Sequence, residues 1–325
     1  MLNQSLRCSL TLLVAASAFC PAAPAQTFPQ ACDGSAIVSV GKGYFLNASD
    51  EDNIIRLYRV SNPAKPLREY NLNSFLKPEL TKKGAPKETD LEAVAQIGTR
   101  LYWIGSHGAD KKGDPEPSRL RFFATDIATP GATTSLKPAG KPYQNLLADL
   151  IAAKIEATAA LSAAQSLPHQ KGGIDIEGMA ATPSGALLVG FRSPLVGGKA
   201  LLALLTNPKA VVAGTAKAAF GKNSLLDLNG MGIRDIIPTA KPGEFYILAG
   251  APGVEAKFAI YQWQLGGKPK LASLALPNAG GSPEALMIDN PAALYVALDG
   301  GEQGTPVCKD RDVKDRSFLL QQIKQ

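Results

Sequence analysis

One pattern recurs five times along the chain, and few folds can absorb it. "LEAVAQIGTRLYWIGSHG" begins at Leu91, "IEGMAATPSGALLVGFRS" at Ile176, "IRDIIPTAKPGEFYILAGAPG" at Ile233 and "PEALMIDNPAALYVALDGG" at Pro283. A degenerate first copy, "DGSAIVSVGKGYFLNASDED", begins at Asp33. Each copy opens on a charged or polar residue, runs through a short apolar strand, turns at Gly, Pro or Asn, and returns along a second strand. A third strand follows each pair: "NIIRLYRV", "RLRFFATDI", "KALLALL", "FAIYQWQL" and "SFLLQQI". A fourth is visible in "PLREYNL" and "PKLASLAL". Short β-branched and aromatic runs bounded by turn formers are strands. Four antiparallel strands repeated about every 50–58 residues are the signature of propeller blades. The chain therefore reads as an all-β propeller of five blades, with six as the alternative count and a two-domain β-sandwich as a poorer fit to the shared motif.

Two irregularities qualify the repeat. The step from Glu92 to Glu177 is about 85 residues, and the excess holds "PYQNLLADLIAAKIEATAALSAAQSL". A proline start, few β-branched residues, and Leu146, Leu147, Leu150 and Ile151 at helical spacing predict a helix or helix pair over about 142–168, inserted between blades 2 and 3. The fifth copy lacks an evident fourth strand. Residues near the start of the mature chain are the candidates to complete it and to cover an open edge.

The first 25 residues have the layout of a secretory signal: Arg7, the apolar "SLTLLVAASAF", and Ala23-Pro24-Ala25 for cleavage. The propeller domain would then be residues 26–325, in the periplasm or outside the cell. The bulky Phe19 before Cys20 argues against lipidation, and no stretch is long enough for a membrane span. Removing the leader takes away Cys8 and Cys20. Cys32 and Cys308 remain, an even pair that in an exported protein predicts a disulfide joining the first blade to the last.

Propeller geometry gives the charged residues a meaning. Innermost strands line the central channel, and the loop entering each shares a face with the loop between second and third strands. Asp90, Glu92, Asp175, Glu177, Arg234, Asp235 and Glu284 are thus expected around one mouth. Loops carrying Asn47, Asp50, Asp52, Ser106, His107, Arg192 and Asp299 should open there too. Carboxylates crowded near a low-dielectric channel must be protonated, paired with cations or neutralised by a metal. Arg119, Arg192 and Arg234 are candidate partners. Ca²⁺ or Mg²⁺, which prefer oxygen ligands, is the candidate cofactor, with Glu92, Glu177 and Glu284 as its ligands.

Composition narrows the chemistry. Only two histidines exist, His107 and His169, so a multi-histidine zinc site is excluded. There is no G-x-S-x-G elbow and no Walker loop. His107 is either a loop hydrogen-bonding residue or the candidate proton carrier, and His169 is a structural turn residue. The net charge of +6 is spread over loop lysines such as Lys82, Lys83, Lys111 and Lys112, which excludes a concentrated nucleic-acid patch.

"LEAVAQIGTRLYWIGSHGADKKGDPEPSRLRFFAT", "GGIDIEGMAATPSGALLVGFRSPLVGGKALLALL" and "GMGIRDII" resemble the bacterial family named domain of unknown function 3616. The resemblance covers most of the chain from Asp33 onward. The D-x-E-G opening is similar, more distantly, to esterase-like phytase propellers, which implies ester or phosphoester hydrolysis. Asp110, Asp114 and Glu116 depart from the fuller family pattern and argue against anion binding by their loop. Three functions follow as expectations. The first is metal-assisted hydrolysis of a phosphoester, ester or lactone, with His107 and Glu177 as catalytic residues. The second is non-catalytic binding of a small ligand, saccharide or peptide. The third is a scaffold with a structural charged ring. A monomer is expected.

Overall fold

Five four-stranded antiparallel sheets form the molecule, four of them each from one copy of the repeat and the fifth from the last copy and one N-terminal strand. The computed structural model describes residues 24–253, 256–277, 280–290, 293–300 and 307–323; residues 1–23 of the expected leader lie outside them. The most N-terminal strand, β1 (Gln26–Pro29), is taken up by the last sheet. Blade 1 comprises β2 (Ala36–Gly41), β3 (Tyr44–Ala48), β4 (Ile54–Arg59) and β5 (Arg68–Asn71). Blade 2 comprises β6 (Leu91–Ile97), β7 (Arg100–Gly105), β8 (Phe122–Ile127) and β9 (Leu136–Tyr143). Blade 3 has β10 (Asp175–Ala181), β11 (Leu187–Ser193), β12 (Ala200–Leu205) and β13 (Ser224–Leu226). Blade 4 has β14 (Gly232–Pro238), β15 (Glu244–Gly250), β16 (Phe258–Gln264) and β17 (Lys270–Leu271). Blade 5 orders β18 (Pro283–Asn290), β19 (Ala293–Leu298) and β20 (Ser317–Ile323) from the axis outward, with β1 on its rim. The innermost strands β2, β6, β10, β14 and β18 touch in cyclic order, so the ring is closed with five blades.

The apolar alternation of the strands is spent between blades. Five buried clusters sit at the five seams. At the seam of blades 3 and 4 the approach is very close. A Cβ on Gly178 or Gly190 would lie 2.7 or 2.6 Å from Ile233 Cγ2, which is why glycine recurs there. The seam of blades 5 and 1 is aromatic. Phe28 meets Phe45 edge-on at 5.2 Å and stacks on Phe318 at 5.5 Å. Each such pair contributes about 0.5–1.5 kcal/mol beyond area burial. The Tyr58 hydroxyl donates to Pro29 O at 2.6 Å, anchoring β1 to blade 1. A disulfide between Cys32 and Cys308 closes the same seam covalently.

Among the described residues four helices decorate the ring: α1 (Asn73–Leu76), α2 (Leu146–Ala152), α3 (Thr158–Ala164) and α4 (Pro208–Ala213). The insertion between blades 2 and 3 is the pair α2–α3. Leu146, Leu147, Leu150 and Leu161 bury themselves in the cluster shared by those blades. Asp149 accepts from the Tyr143 hydroxyl and from Ala218 N, tying the pair to the segment after α4. A 3-10 turn, His169–Lys171, then leads directly into β10. Among the described residues no helix is long and apolar enough to cross a membrane.

Candidate functional site at the channel mouth

Charged residues reach the mouth through a repeated backbone irregularity. In β6 the pairing with β7 skips Glu92; in β10 the pairing with β11 skips Glu177. The same slip occurs at Arg234 in β14 and at Glu284 in β18. An extra residue in one strand re-aims its side chain and ends regular pairing. The corresponding position in four blades is thus a bulge bearing Glu92, Glu177, Arg234 or Glu284. In the fourth blade that residue is an arginine, one place before the expected Asp235.

These side chains line a cavity of about 470 Å³. Among the described residues its wall holds ten carboxylates: Asp33, Asp50, Glu51, Asp90, Glu92, Asp110, Asp175, Glu177, Glu284 and Asp299. Five cationic side chains face them, Lys111, Arg119, Arg192, Arg234 and Lys309, together with Ser106 and His169. Farther along the same five innermost strands the lining turns apolar, with Ile37, Val94, Met179, Ile236 and Met287 around a smaller space of about 170 Å³. Among the described residues the crowding of charge is at the first mouth; the second space adds only Ser39 and Gln96 to its apolar lining.

On the side of blades 3, 4 and 5 the acids are paired. Arg192 Nη1 lies 3.0 Å from Glu177 and 3.5 Å from Asp175. Its Nε and Nη2 donate to Ala251 O and Gly253 O, at 3.0 and 2.8 Å. Arg234 Nη2 bonds Glu284, and its Nε lies 3.5 Å from Glu177. Its guanidinium sits over the Phe258 ring, 5.6 Å from the centroid. Burial pushes Glu284 up to about 8, and neighbouring Glu177 and Asp299 add to this against the pull of Arg234. Arg234 itself is held more firmly protonated: its burial is outweighed by Glu177 and Glu284. The arginine is charged and the scarce proton belongs to the acids, which outnumber the bases among the described residues of the wall. Asp175 lies below its usual range, since His169 and Arg192 outweigh burial.

On the side of blades 1 and 2 the acids crowd one another. Asp50, Asp90 and Glu92 each offer a carboxylate oxygen, all within 4.8 Å of one another. Asp90 accepts from the Ser106 hydroxyl, and Arg119 Nε stands 3.4 Å away. Arg119 is shared with Glu88 at 3.2 Å and Ala109 O at 3.3 Å. Glu92 makes no salt bridge among the described residues, and Asp50 Oδ1 is buried without a hydrogen-bond partner. Burial raises both well above the carboxylate range. The neighbouring acids reinforce it, Asp33 foremost for Asp50 and Asp90 foremost for Glu92. Glu51 is likewise pushed up to about 7 by burial and Asp33.

Four expected mouth residues lie elsewhere. His107 is buried, 3% exposed, and does not line the cavity. Its left-handed backbone, φ 57°, folds Nδ1 onto Gly105 O at 2.9 Å, and burial lowers the imidazole to about 4. Asp235 bridges blades, accepting from Ile236 N and Leu286 N at 2.7 Å each. Asp52 pairs with the buried Arg56 of blade 1. Asn47 donates to Asp33 O beneath the wall. The ligand set Glu92, Glu177 and Glu284 is also divided: arginines hold the latter two, whereas Glu92 groups with Asp50 and Asp90. Asp33, Glu51 and Lys309 line the cavity without having been singled out, and so does His169, which was expected only as a structural turn residue. Asp33 and Glu51 were signalled by the acidic ends of the first copy, His169 only by its place just before β10.

Fold and site together define a five-bladed propeller with an acidic, partly ion-paired mouth. Residues 130–279, from before β9 to just beyond blade 4, match the family described as protein of unknown function, DUF3616. No curated protein matches. Among solved structures the chain is similar to the glutaminyl cyclase of Myxococcus xanthus: 10% identity, TM-score 0.45, covering 94% of this chain and 97% of that one. A luciferin-regenerating enzyme gives 8% identity, TM-score 0.43, and coverage of 93% and 95%. The PQQ-bound aldose sugar dehydrogenase of Streptomyces coelicolor gives 10%, 0.39, and 93% and 96%.

Proposed function

We propose that the mouth seats a divalent cation, Ca²⁺ or Mg²⁺, on Asp50, Asp90 and Glu92, and that the protein is an exported hydrolase of a phosphoester, ester or lactone. The observation that carries this reading is the convergence of those three carboxylates within 4.8 Å, where Glu92 has no salt bridge among the described residues and Asp50 Oδ1 no hydrogen-bond partner. An all-oxygen donor set suits a hard cation. When bound, such an ion polarises a carbonyl or phosphoryl oxygen and acidifies water. The chain's own residues do the rest. Ser106 and Arg119 orient Asp90, Arg192 and Arg234 neutralise Glu177 and Glu284, and the apolar far end of the channel closes the site to one face. The Cys32–Cys308 disulfide supports a periplasmic or secreted location.

Isothermal titration with Ca²⁺ and Mg²⁺ tests the seat. Glu92→Gln should weaken binding at least about tenfold, since it removes an anionic ligand. Hydrolysis of a panel of phosphoesters, esters and lactones, with and without chelator, tests the reaction. Absence of binding by either ion sinks the reading. A second reading, non-catalytic capture of a small cationic molecule, is favoured by the commitment of Arg119, Arg192 and Arg234 to acids and carbonyls. An inactive panel combined with tight binding of an organic amine would select it.

A further inference from the structure

We propose that His169, held by Asp175, is the group that moves the proton in this mouth; the proposal rests on the hydrolase reading above. Of the two histidines, His169 lines the cavity and leaves 45% of its side chain exposed. Its Nδ1 stands 3.5 Å from Asp175 Oδ2. Catalytic hydrogen bonds are commonly long in ligand-free sites and tighten on binding. Asp175 is buried, and Arg192 grips it from the other side at 3.5 Å.

The turn that carries His169 is built to hold it there. Lys171 N and Gly173 N donate to Pro168 O at 2.9 and 3.1 Å, and Gly172 N donates to His169 O at 2.9 Å. Gly172 takes the left-handed region, φ 82°. A Cβ on Gly173 would fall 1.9 Å from Leu167 O, so only glycine fits. Ser193, which faces Asp175 across the β10–β11 pairing, donates its hydroxyl to Gly173 O. The histidine's turn and its carboxylate are thus fastened to the same strand pair. An ionised Asp175 keeps the proton on Nδ1 and leaves Nε2 free to accept.

The step balances with water and substrate alone. As water oxygen bonds to the carbonyl carbon or phosphorus, its proton passes to Nε2. The ester C–O or P–O bond then breaks, and the same proton passes from Nε2 to the leaving oxygen. One water is consumed and the imidazole returns neutral. Asp175 acts as a positioning residue, selecting the tautomer.

The test pairs kinetics with imidazole nitrogen NMR. On a substrate found with the panel, His169→Gln should lower kcat by about 10²–10⁴-fold, with Ca²⁺ and Mg²⁺ affinity unchanged. In the wild type the ring signal missing from His169→Gln should be the Nδ1–H tautomer. In Asp175→Asn that signal should move toward the Nε2–H tautomer, a change that loss of packing alone would not produce. A wild-type Nε2–H tautomer, or turnover by His169→Gln within about threefold of wild type, overturns the role of His169 while leaving the hydrolase reading standing. A wild type inert on the whole panel overturns the hydrolase reading and this role together, whatever the tautomer.

Discussion

Replacing Arg234 by methionine isolates the electrostatics of the mouth. Methionine keeps most of the stem that packs beside Gly250 and removes the guanidinium, with its ion pairs and its contact over the Phe258 ring. Arg234 is 8% exposed on its side chain, so its ion pairs are poorly screened. Loss of the guanidinium leaves Glu177 with Arg192, but leaves Glu284 with no salt bridge among the described residues. Removing one partner of a buried pair costs about 3–5 kcal/mol when the survivor stays charged. Whether it stays charged depends on pH. The folded-state value of Glu284 is about 8, above its ordinary 4.5. A raised carboxyl contributes stability that is whole below its unfolded value and is lost as pH rises through its folded value. Without Arg234 the value climbs further, so the deficit of the variant should be small near pH 5 and grow above pH 8 by about 1.4 kcal/mol per pH unit. Urea unfolding followed by circular dichroism at pH 5 and pH 9 measures it, and Arg234→Met with Glu284→Gln should recover over half the loss at the higher pH. A deficit below about 1 kcal/mol at pH 9, or an equal deficit at both, refutes the assignment of a buried, arginine-dependent carboxylate, since exposed pairs contribute no more than that.

Cys32→Ser should lower stability by up to about 5 kcal/mol in the chain-entropy model of a cross-link, given a separation of 276 residues. Reductant should lower the Tm of the wild type and leave that of the variant unchanged. Gly190→Ala should cost about 1–3 kcal/mol by overpacking, because its Cβ would meet Ile233 at 2.6 Å. Pairing it with Ile233→Ala should return part of that loss in thermal denaturation.

The blades were legible because each repeats a strand–turn–strand period that only one architecture stacks well. The completion of blade 5 by residues just after the expected leader followed from a missing partner strand, and β1 fills that place. The disulfide followed from counting. Residue identity at the mouth was less legible wherever the backbone leaves regular geometry. A bulge at Arg234 turns it into the cavity and sends the next residue, Asp235, into the seam, a one-place slip that spacing alone does not reveal. His107 follows a strand end as a mouth residue should, but one left-handed residue folds its ring back on its own loop. His169 belongs to no repeat. It reaches the rim because the helical insertion packs between blades 2 and 3 and delivers its last turn to the start of β10.

The sharing of blade 5 between β1 and β18–β20 has a consequence for biogenesis. A chain that emerges N-terminus first presents Phe28 at once, yet the surface that buries it is not complete until Phe318 and its strand have followed. Blades 1 to 4 can each satisfy their own hydrogen bonds as they appear. The ring cannot, and until then it carries an uncovered strand edge of the kind that invites mispairing. Completion of blade 5 is therefore a length check: a chain broken off before residue 317 has four complete sheets and a fifth reduced to β18 and β19, with no strand for β1 to pair and no cover for Phe28.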